Sequence, residues 1–558
     1  MDDRIVDCKY GQENLVAARS ALGISALATL AACGGGGSSG PPAANQGPDA
    51  PAGITPKEAS RFLAQATNGA TRETIDELVA TGIDDWLTNQ FAMPRSMSHW
   101  DWLVSAGYRD NPKFAPLNDG WDNSIWRQLI TAPDQLRQRV ALALLDFLVV
   151  SVNGLQLIGW RQFAICQYMD KLLDNAFGNY RSLLGAITRS VGMSVYLTFA
   201  NNSKANGKGS MPDENYAREL MQLFTIGLHE LNADGTERLG ADGKPIETFN
   251  QTDVSQLSRV FTGISFVSED FSTPDLFLSS MIMRSYMNEP GPSTFLGHTV
   301  SGGGMAAVDA ALDIIFAHPN VPPFVSKNLI KRLVASNPST AFVGRVAAVF
   351  ADNGQGIRGD LKAVITAILT DTEVRDVSFL PNPNVGKLRD PVQRFTNWAR
   401  AFKANSATGI WAIGDTSDIG TKLGQSPGQS PSVFNFFTPD YAPPNTSISQ
   451  AGLIAPEFQI TNEQSVLGYV NFMHSAVANG VADLIPDYGD MLPHASDSAA
   501  LVGEINLILA AGQLPSATIS RIRGAVDSIP FSSQNGPENR VKTAIILTLA
   551  SPDYLTLR

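Results

Sequence analysis

The residues of this chain best placed to do chemistry lie in one short stretch, Asn215-Tyr216-Ala217-Arg218-Glu219-Leu220-Met221-Gln222. On a helix, steps of three and four residues superpose, so Asn215, Arg218, Glu219 and Gln222 share a face beside an apolar stripe of Tyr216, Leu220, Leu223 and Phe224. An amide, a guanidinium and a carboxylate then stand side by side. As chemistry, Glu219 would be a general base or a metal ligand, oriented by Arg218 or by Arg259 of a later helix. As structure, the same residues would make a buried ion-pair network that ties two helices together and fixes their register. With no cluster of histidines, the structural reading carries more weight.

Other motifs are weaker. Gly424-Gln425-Ser426-Pro427-Gly428 fits the nucleophile-elbow pattern, but there the residue after the serine must offer a backbone N–H to the oxyanion, and Pro427 has none. The repeated GQSP is therefore read as a loop. The six histidines are scattered without metal-ligand spacing, and no P-loop, dinucleotide fingerprint or HExxH is present, so neither a metal nor a cofactor is expected. Asn232, Asp234 and Thr236 resemble the start of a calcium loop, yet Gly243 stands where the closing glutamate belongs. Phe434, Phe436, Phe437 and Tyr441 are packed among prolines between Ser430 and Pro444. They are candidates for a platform under a sugar ring or a partner peptide, the alternative being that they plug the core. Trp100, Trp102, Trp121 and Trp126 are similarly concentrated, and either region could form a cleft wall.

The elements that must position these residues are helices. Thr55-Pro56-Lys57-Glu58 is a capping box with proline at the first helical position. A second helix runs from Arg72 to a stop at Gly82, and another opens at Pro133-Asp134-Gln135, with apolar residues from Leu136 to Leu148 recurring at three and four. Further helices are expected over 213–231, 253–262, 305–317, 323–335, 361–369 and 392–403. Period-two alternation is absent, apart from possible hairpins over 237–248 turned by Asp234-Gly235 and Asp242-Gly243. The expectation is a mainly α protein, one large multi-helix globular domain with at most a few short β-hairpins, over 55–558. Hydrophobic residues at 44% supply a core of that size, while a net charge of −12 argues against a nucleic-acid partner.

The first 54 residues read differently. The apolar run Ala21 to Ala32 has the length of a signal-peptide core and is too short to span a bilayer. Leu30-Ala31-Ala32-Cys33 resembles the lipobox of bacterial lipoproteins, so 1–32 is expected to be a signal peptide and 33–54, rich in Gly, Ser and Pro, a lipidated tether anchored through Cys33. Gly34 stands where an aspartate would signal inner-membrane retention, which favours the outer membrane. Asp2, Asp3, Asp7 and Glu13 are unusual ahead of such a core, and the competing reading is a leader with a chance cysteine. Cys166 is the one cysteine in the body, so no disulfide is expected there.

Several blocks, among them RFLAQATNGATRETIDELVATGIDDWLTNQF, DQLRQRVALALLDFLVVS, PDENYARELMQLFTIGLHELNADGT and GIRGDLKAVITAILTD, resemble the bacterial domain-of-unknown-function 1800 family in the same order from about Pro56 onward. The resemblance implies a large, mainly helical exported protein of unestablished activity, often encoded beside a partner resembling the alkaline-phosphatase-like sulfatases. Two positions depart from the family's pattern. Asn288-Glu289 precedes Phe295-Leu296-Gly297 where many members have a His-acid pair, and Leu145-Asp146-Phe147 stands where others carry two histidines. The reading is an outer-membrane-tethered accessory or assembly partner in an export or cell-surface system. The alternative is a periplasmic hydrolase of a cell-surface polymer using carboxylates near Glu219.

Overall fold

The local signals of the sequence set most of the helix ends. In the computed structural model, which describes Gly53–Arg558 apart from Pro383, the capping box at Thr55 is formed in both directions and starts the helix Pro56–Ala66. The helix Arg72–Thr81 stops at Gly82, whose φ of 80° is open to glycine at little cost. Cys33 and the expected signal peptide lie outside the described residues. The described residues contain 23 α-helices, and the β structure is limited to four antiparallel pairs of two or three residues each and a few isolated bridges. The protein is mainly α.

The helix Arg161–Asn175 runs through the middle, with residues from Gln162 to Leu173 buried nearly all round. It packs against His99–Ser105, Gln135–Leu145, Tyr180–Thr188 and Val191–Tyr196. A helix buried on nearly every side belongs in a core, and this one joins the N-terminal helices to a single continuous hydrophobic cluster with the rest. Val321–Leu333 packs on Thr340–Ala351 and on Gln135–Leu145, while Ser498–Ala510, Ser516–Asp527 and Gly536–Leu549 form a trio that closes back on Pro56–Ala66. Among the described residues, no helix is long and apolar enough to cross a membrane.

Three expectations are corrected. The helix expected over 213–231 is α-helical only from Asn215 to Glu219, continues as a π-helix over Leu220–Thr225 and then ends, so His229 and Glu230 are not on it. Both Asp-Gly pairs do turn the chain, with Gly235 and Gly243 at φ 76° and 75°, but they join isolated bridges such as Leu231 with Glu237 and Leu239 with Pro245. The short hairpin that does form is Ser293–Phe295 with His298–Val300, turned at Leu296 and Gly297. The four tryptophans expected to wall a cleft are buried.

Candidate functional site

The residues of the Asn215 to Gln222 face do not come together as their helical spacing implies. Asn215 faces Thr198, at 3.4 Å. Arg218 donates to Glu214 at 3.1 Å and to Gln251 at 3.2 Å, and Glu214 also accepts from Gln251 and Ser255. A polar network does tie this helix to Gln251–Phe261, but its acid is Glu214. Arg259 in turn pairs with Glu289 at 3.3 Å. Glu219 is left without an ion pair, and its Oε2 is buried with no hydrogen-bond partner among the described residues. Burial raises its pKa, against the pull of Arg218. The helix switches from α to π winding immediately after it, the kind of distortion that recurs at functional positions.

Glu219 stands close enough to Tyr196 for its charge to raise that phenol, whose pKa burial pushes up to about 12 while the Ser430 hydroxyl beside it pulls the other way. Ser430 belongs to the second surprise of the site. Leu423 to Ser430, which contains all of the GQSP repeat except its last proline, is buried throughout rather than looped over the surface. Buried backbone without secondary structure needs outside partners, and it has them. Trp121 Nε1 donates to the Pro427 carbonyl at 2.9 Å, the Val152 N–H to Gly428 at 2.9 Å and Asn153 to Gln429 at 3.2 Å. Gly428, at φ 66°, is fixed by two demands, since a Cβ there would lie 2.6 Å from the Trp121 ring. Gln429 donates to both oxygens of Asp122, whose carboxyl is pushed up to about 7, chiefly by burial. Among the described residues, Ser426 Oγ is buried without a partner and no strand leads to it, so the loop reading of this motif stands over the nucleophile.

The same segment continues into the aromatic stretch and covers a cluster of charged residues. Asn435 donates to Asp146 Oδ1 at 2.6 Å, and Asn435 and Phe437 line a small cavity of about 20 Å³ together with Asp146, Lys331, Arg332, Lys387, Asp390 and Glu457. Space of that size holds roughly one water. Arg332 donates to the Asp146 carbonyl at 3.2 Å and lies 5.0 Å from the Phe147 ring centroid. Lys387 reaches Glu457 Oε1 at 3.0 Å with both side chains almost wholly buried, and also donates to the Arg332 carbonyl at 3.1 Å. Arg139 donates to that same carbonyl at 2.7 Å. Burial, reinforced by Asp390, pushes Asp146 up to about 6, while burial lowers Lys331 to about 8 and Arg332 to about 10. Of the expected binding residues, Phe437 lines this cavity, Phe436 and Tyr441 are half-buried, and Phe434 alone is exposed, at 41%. Sequence reasoning missed the cluster because five separate segments supply it. The available signal was Asp146 itself, a lone charge inside the apolar run Leu142 to Val150.

Asn232, Asp234 and Thr236 satisfy one another in a closed turn, with Asp234 Oδ1 accepting from both the N–H and the hydroxyl of Thr236. Among the described residues, no group of three or more His, Cys, Asp or Glu side chains is arranged to hold a metal ion.

A model of the family described as protein of unknown function (DUF1800) matches residues 61–556, and the chain belongs to that family. No curated protein and no solved structure matches it.

Proposed function

We propose that this protein is a lipid-anchored accessory component of a bacterial cell envelope, held at the outer membrane through Cys33, that serves an export or surface-assembly system by binding a partner. The observation that carries this reading is the roof over the ionisable cluster. Asp146, Lys331 and Arg332, the groups of shifted pKa, line a cavity of about 20 Å³ together with Asn435 and Phe437, too small for a sugar or a peptide. Such a cluster specifies how helices meet and does not present a reaction centre. The lipobox-like Leu30-Ala31-Ala32-Cys33 supports the anchor. The family's usual gene neighbourhood supports a partner of the alkaline-phosphatase-like sulfatase class.

Glu219 favours the second reading, a hydrolase of a surface polymer. It has a raised pKa, a free Oε2 and a distorted helix at its back. One experiment separates the two. A strain lacking the gene is complemented with Glu219→Gln and with Cys33→Ser, with envelope fractionation in parallel. The accessory reading expects Glu219→Gln to complement fully, and Cys33→Ser to leave the membrane fraction, since its acyl chains are lost together, and to fail. A Glu219→Gln protein that anchors normally yet does not complement would establish the hydrolase instead.

A further inference from the structure

Asparagine followed by glycine is the dipeptide in which a side-chain amide is most open to attack by its own backbone, because the next residue has no side chain to hold its nitrogen away. The chain has five such pairs, beginning at Asn153, Asn206, Asn353, Asn479 and Asn535. In four of them the fold occupies the glycine N–H. Gly154 donates to the Ser151 carbonyl at 3.0 Å, Gly354 to Asp352 Oδ1 at 2.8 Å, Gly480 to the Ala476 carbonyl at 2.8 Å and Gly536 to the Ser533 carbonyl at 2.8 Å. The Gly207 N–H has no hydrogen-bond partner among the described residues.

The side chain of Asn206 is also prepared for attack. Its Oδ1 accepts from the Lys208 N–H at 2.8 Å and from the Ser210 N–H at 3.2 Å. Two backbone donors on one carbonyl oxygen draw electron density from its carbon, and they are placed for the negative charge the oxygen takes on when that carbon is attacked. Nδ2, the group that must leave, is unbonded among the described residues. Asn353 supplies the contrast. Its Oδ1 accepts from the Gln355 and Ile357 N–H groups in the same way, at 3.0 and 3.3 Å, but its Nδ2 is tied to Asp360 at 2.6 Å and the Gly354 N–H to Asp352. The surroundings of Asn206 are open. Residues from Ser203 to Met211 are all exposed and form neither helix nor strand, and a side chain at Gly207 would meet no atom within 4 Å. The base of this loop is pinned, with Asn202 Oδ1 accepting from the Asp213 N–H at 2.9 Å and the Lys204 N–H donating to the Met287 carbonyl at 2.8 Å.

We propose that Asn206-Gly207 is a site of spontaneous covalent modification, where asparagine becomes aspartate and isoaspartate through a cyclic imide. The Gly207 nitrogen loses its proton to solvent and bonds to Asn206 Cγ, the Cγ–Nδ2 bond breaks, and Nδ2 leaves as ammonia with a proton taken back from solvent. Water then opens the imide. Attack at the former side-chain carbonyl gives aspartate, and attack at the backbone carbonyl gives isoaspartate, whose main chain runs through the old side chain. The net exchange is one water in and one ammonia out, with no oxidant or reductant. One negative charge is gained in a loop tip that otherwise carries Lys204 and Lys208. The pinned base confines the change to the tip, and the other four pairs are closed to the same chemistry until unfolding frees their glycine N–H groups.

The test is incubation of the full-length protein at mildly alkaline pH, folded and in parallel in denaturant. The five sites are followed by peptide mass mapping, and isoaspartate is scored by methyl transfer from S-adenosylmethionine with an isoaspartyl methyltransferase. In the folded protein Asn206 is expected to convert at least about tenfold faster than any of the other four, the factor set by a hydrogen bond that must break before their glycine nitrogens can attack. In denaturant the other four are expected to accelerate and Asn206 is not, so the advantage vanishes. Asn206→Gln, which would have to close a larger ring, is expected to abolish conversion at this site. An Asn206 that keeps its amide in the folded protein, or that gains as much from denaturation as the others, overturns the proposal. So does another of the five pairs reacting as fast in the folded protein, or conversion that persists in Asn206→Gln.

Discussion

Separating Lys387 from Glu457 is the sharpest perturbation the charged cavity allows. The two side chains meet at 3.0 Å and are 3% and 2% exposed. At an effective dielectric of about 20, the attraction at that distance is about 5–6 kcal/mol. Desolvating two ions costs several kcal/mol each, so the pair as a whole contributes little net stability. Losing one member is different, because the attraction disappears while the other charge stays buried. Glu457 Oε2 already lacks a hydrogen-bond partner among the described residues, so it has nothing to fall back on, whereas Lys387 keeps the Arg332 carbonyl. Lys387→Met and Glu457→Met are each expected to cost about 3–5 kcal/mol, with Lys387→Met the worse, and the double variant is expected to be close to wild type. Unfolding entropy of about 2.1 cal/mol/K per residue over Gly53–Arg558 converts each kcal/mol into about 1 °C of melting temperature. Calorimetry on the four proteins of the cycle should therefore show losses of about 3–5 °C for the singles and recovery in the double. Singles within about 1 °C of wild type would refute the claim that this pair is desolvated.

Asp122→Asn should raise the melting temperature above pH 7 and leave it unchanged below about pH 4. The Asp122 carboxyl is held near 7 by burial against an ordinary value of 3.8, so the folded state keeps a proton the unfolded chain releases, and stability falls as pH rises between those values; a gain that is equal at pH 4 and pH 8 would contradict this. Glu219→Gln should be as stable as wild type or more so at pH 7, since no arginine loses a partner and a penalised charge is removed. Clear destabilisation in chemical denaturation would mean that an ion pair exists after all. Cys166 is fully buried with its thiol pKa pushed well up, so thiol reagents should label it only on unfolding, and rapid labelling of native protein would place it at the surface.

What was legible in the sequence was what local chemistry decides. The capping box at Thr55, the stop at Gly82 and the turns at Gly235 and Gly243 each need only residues within a turn of one another, and each is where the pattern puts it. Glu219 was legible as a polar residue on a helix but not as a lone acid. The three-and-four spacing holds only for α winding, which stops at Glu219, and Arg218 and Arg259 took Glu214 and Glu289 as partners. The cavity at Asp146 was out of reach for a related reason. Lys331 and Arg332 arrive on one helix, Lys387 on a strand paired with Thr556–Leu557, and Glu457 on a short turn, so no spacing along the chain connects them.

The buried run from Leu423 to Ser430 has a consequence for how the molecule comes apart. Surface loops are where proteases usually enter a folded protein, and a Gly- and Pro-rich repeat would ordinarily be such a place. Here the segment is held by Trp121, Val152 and Asn153, so a protease can engage it only after those elements have separated. A cut within GQSPGQSP would therefore time the opening of the surrounding body, and a single engineered cleavage sequence placed there would turn this buried, irregular stretch into a clock for its unfolding.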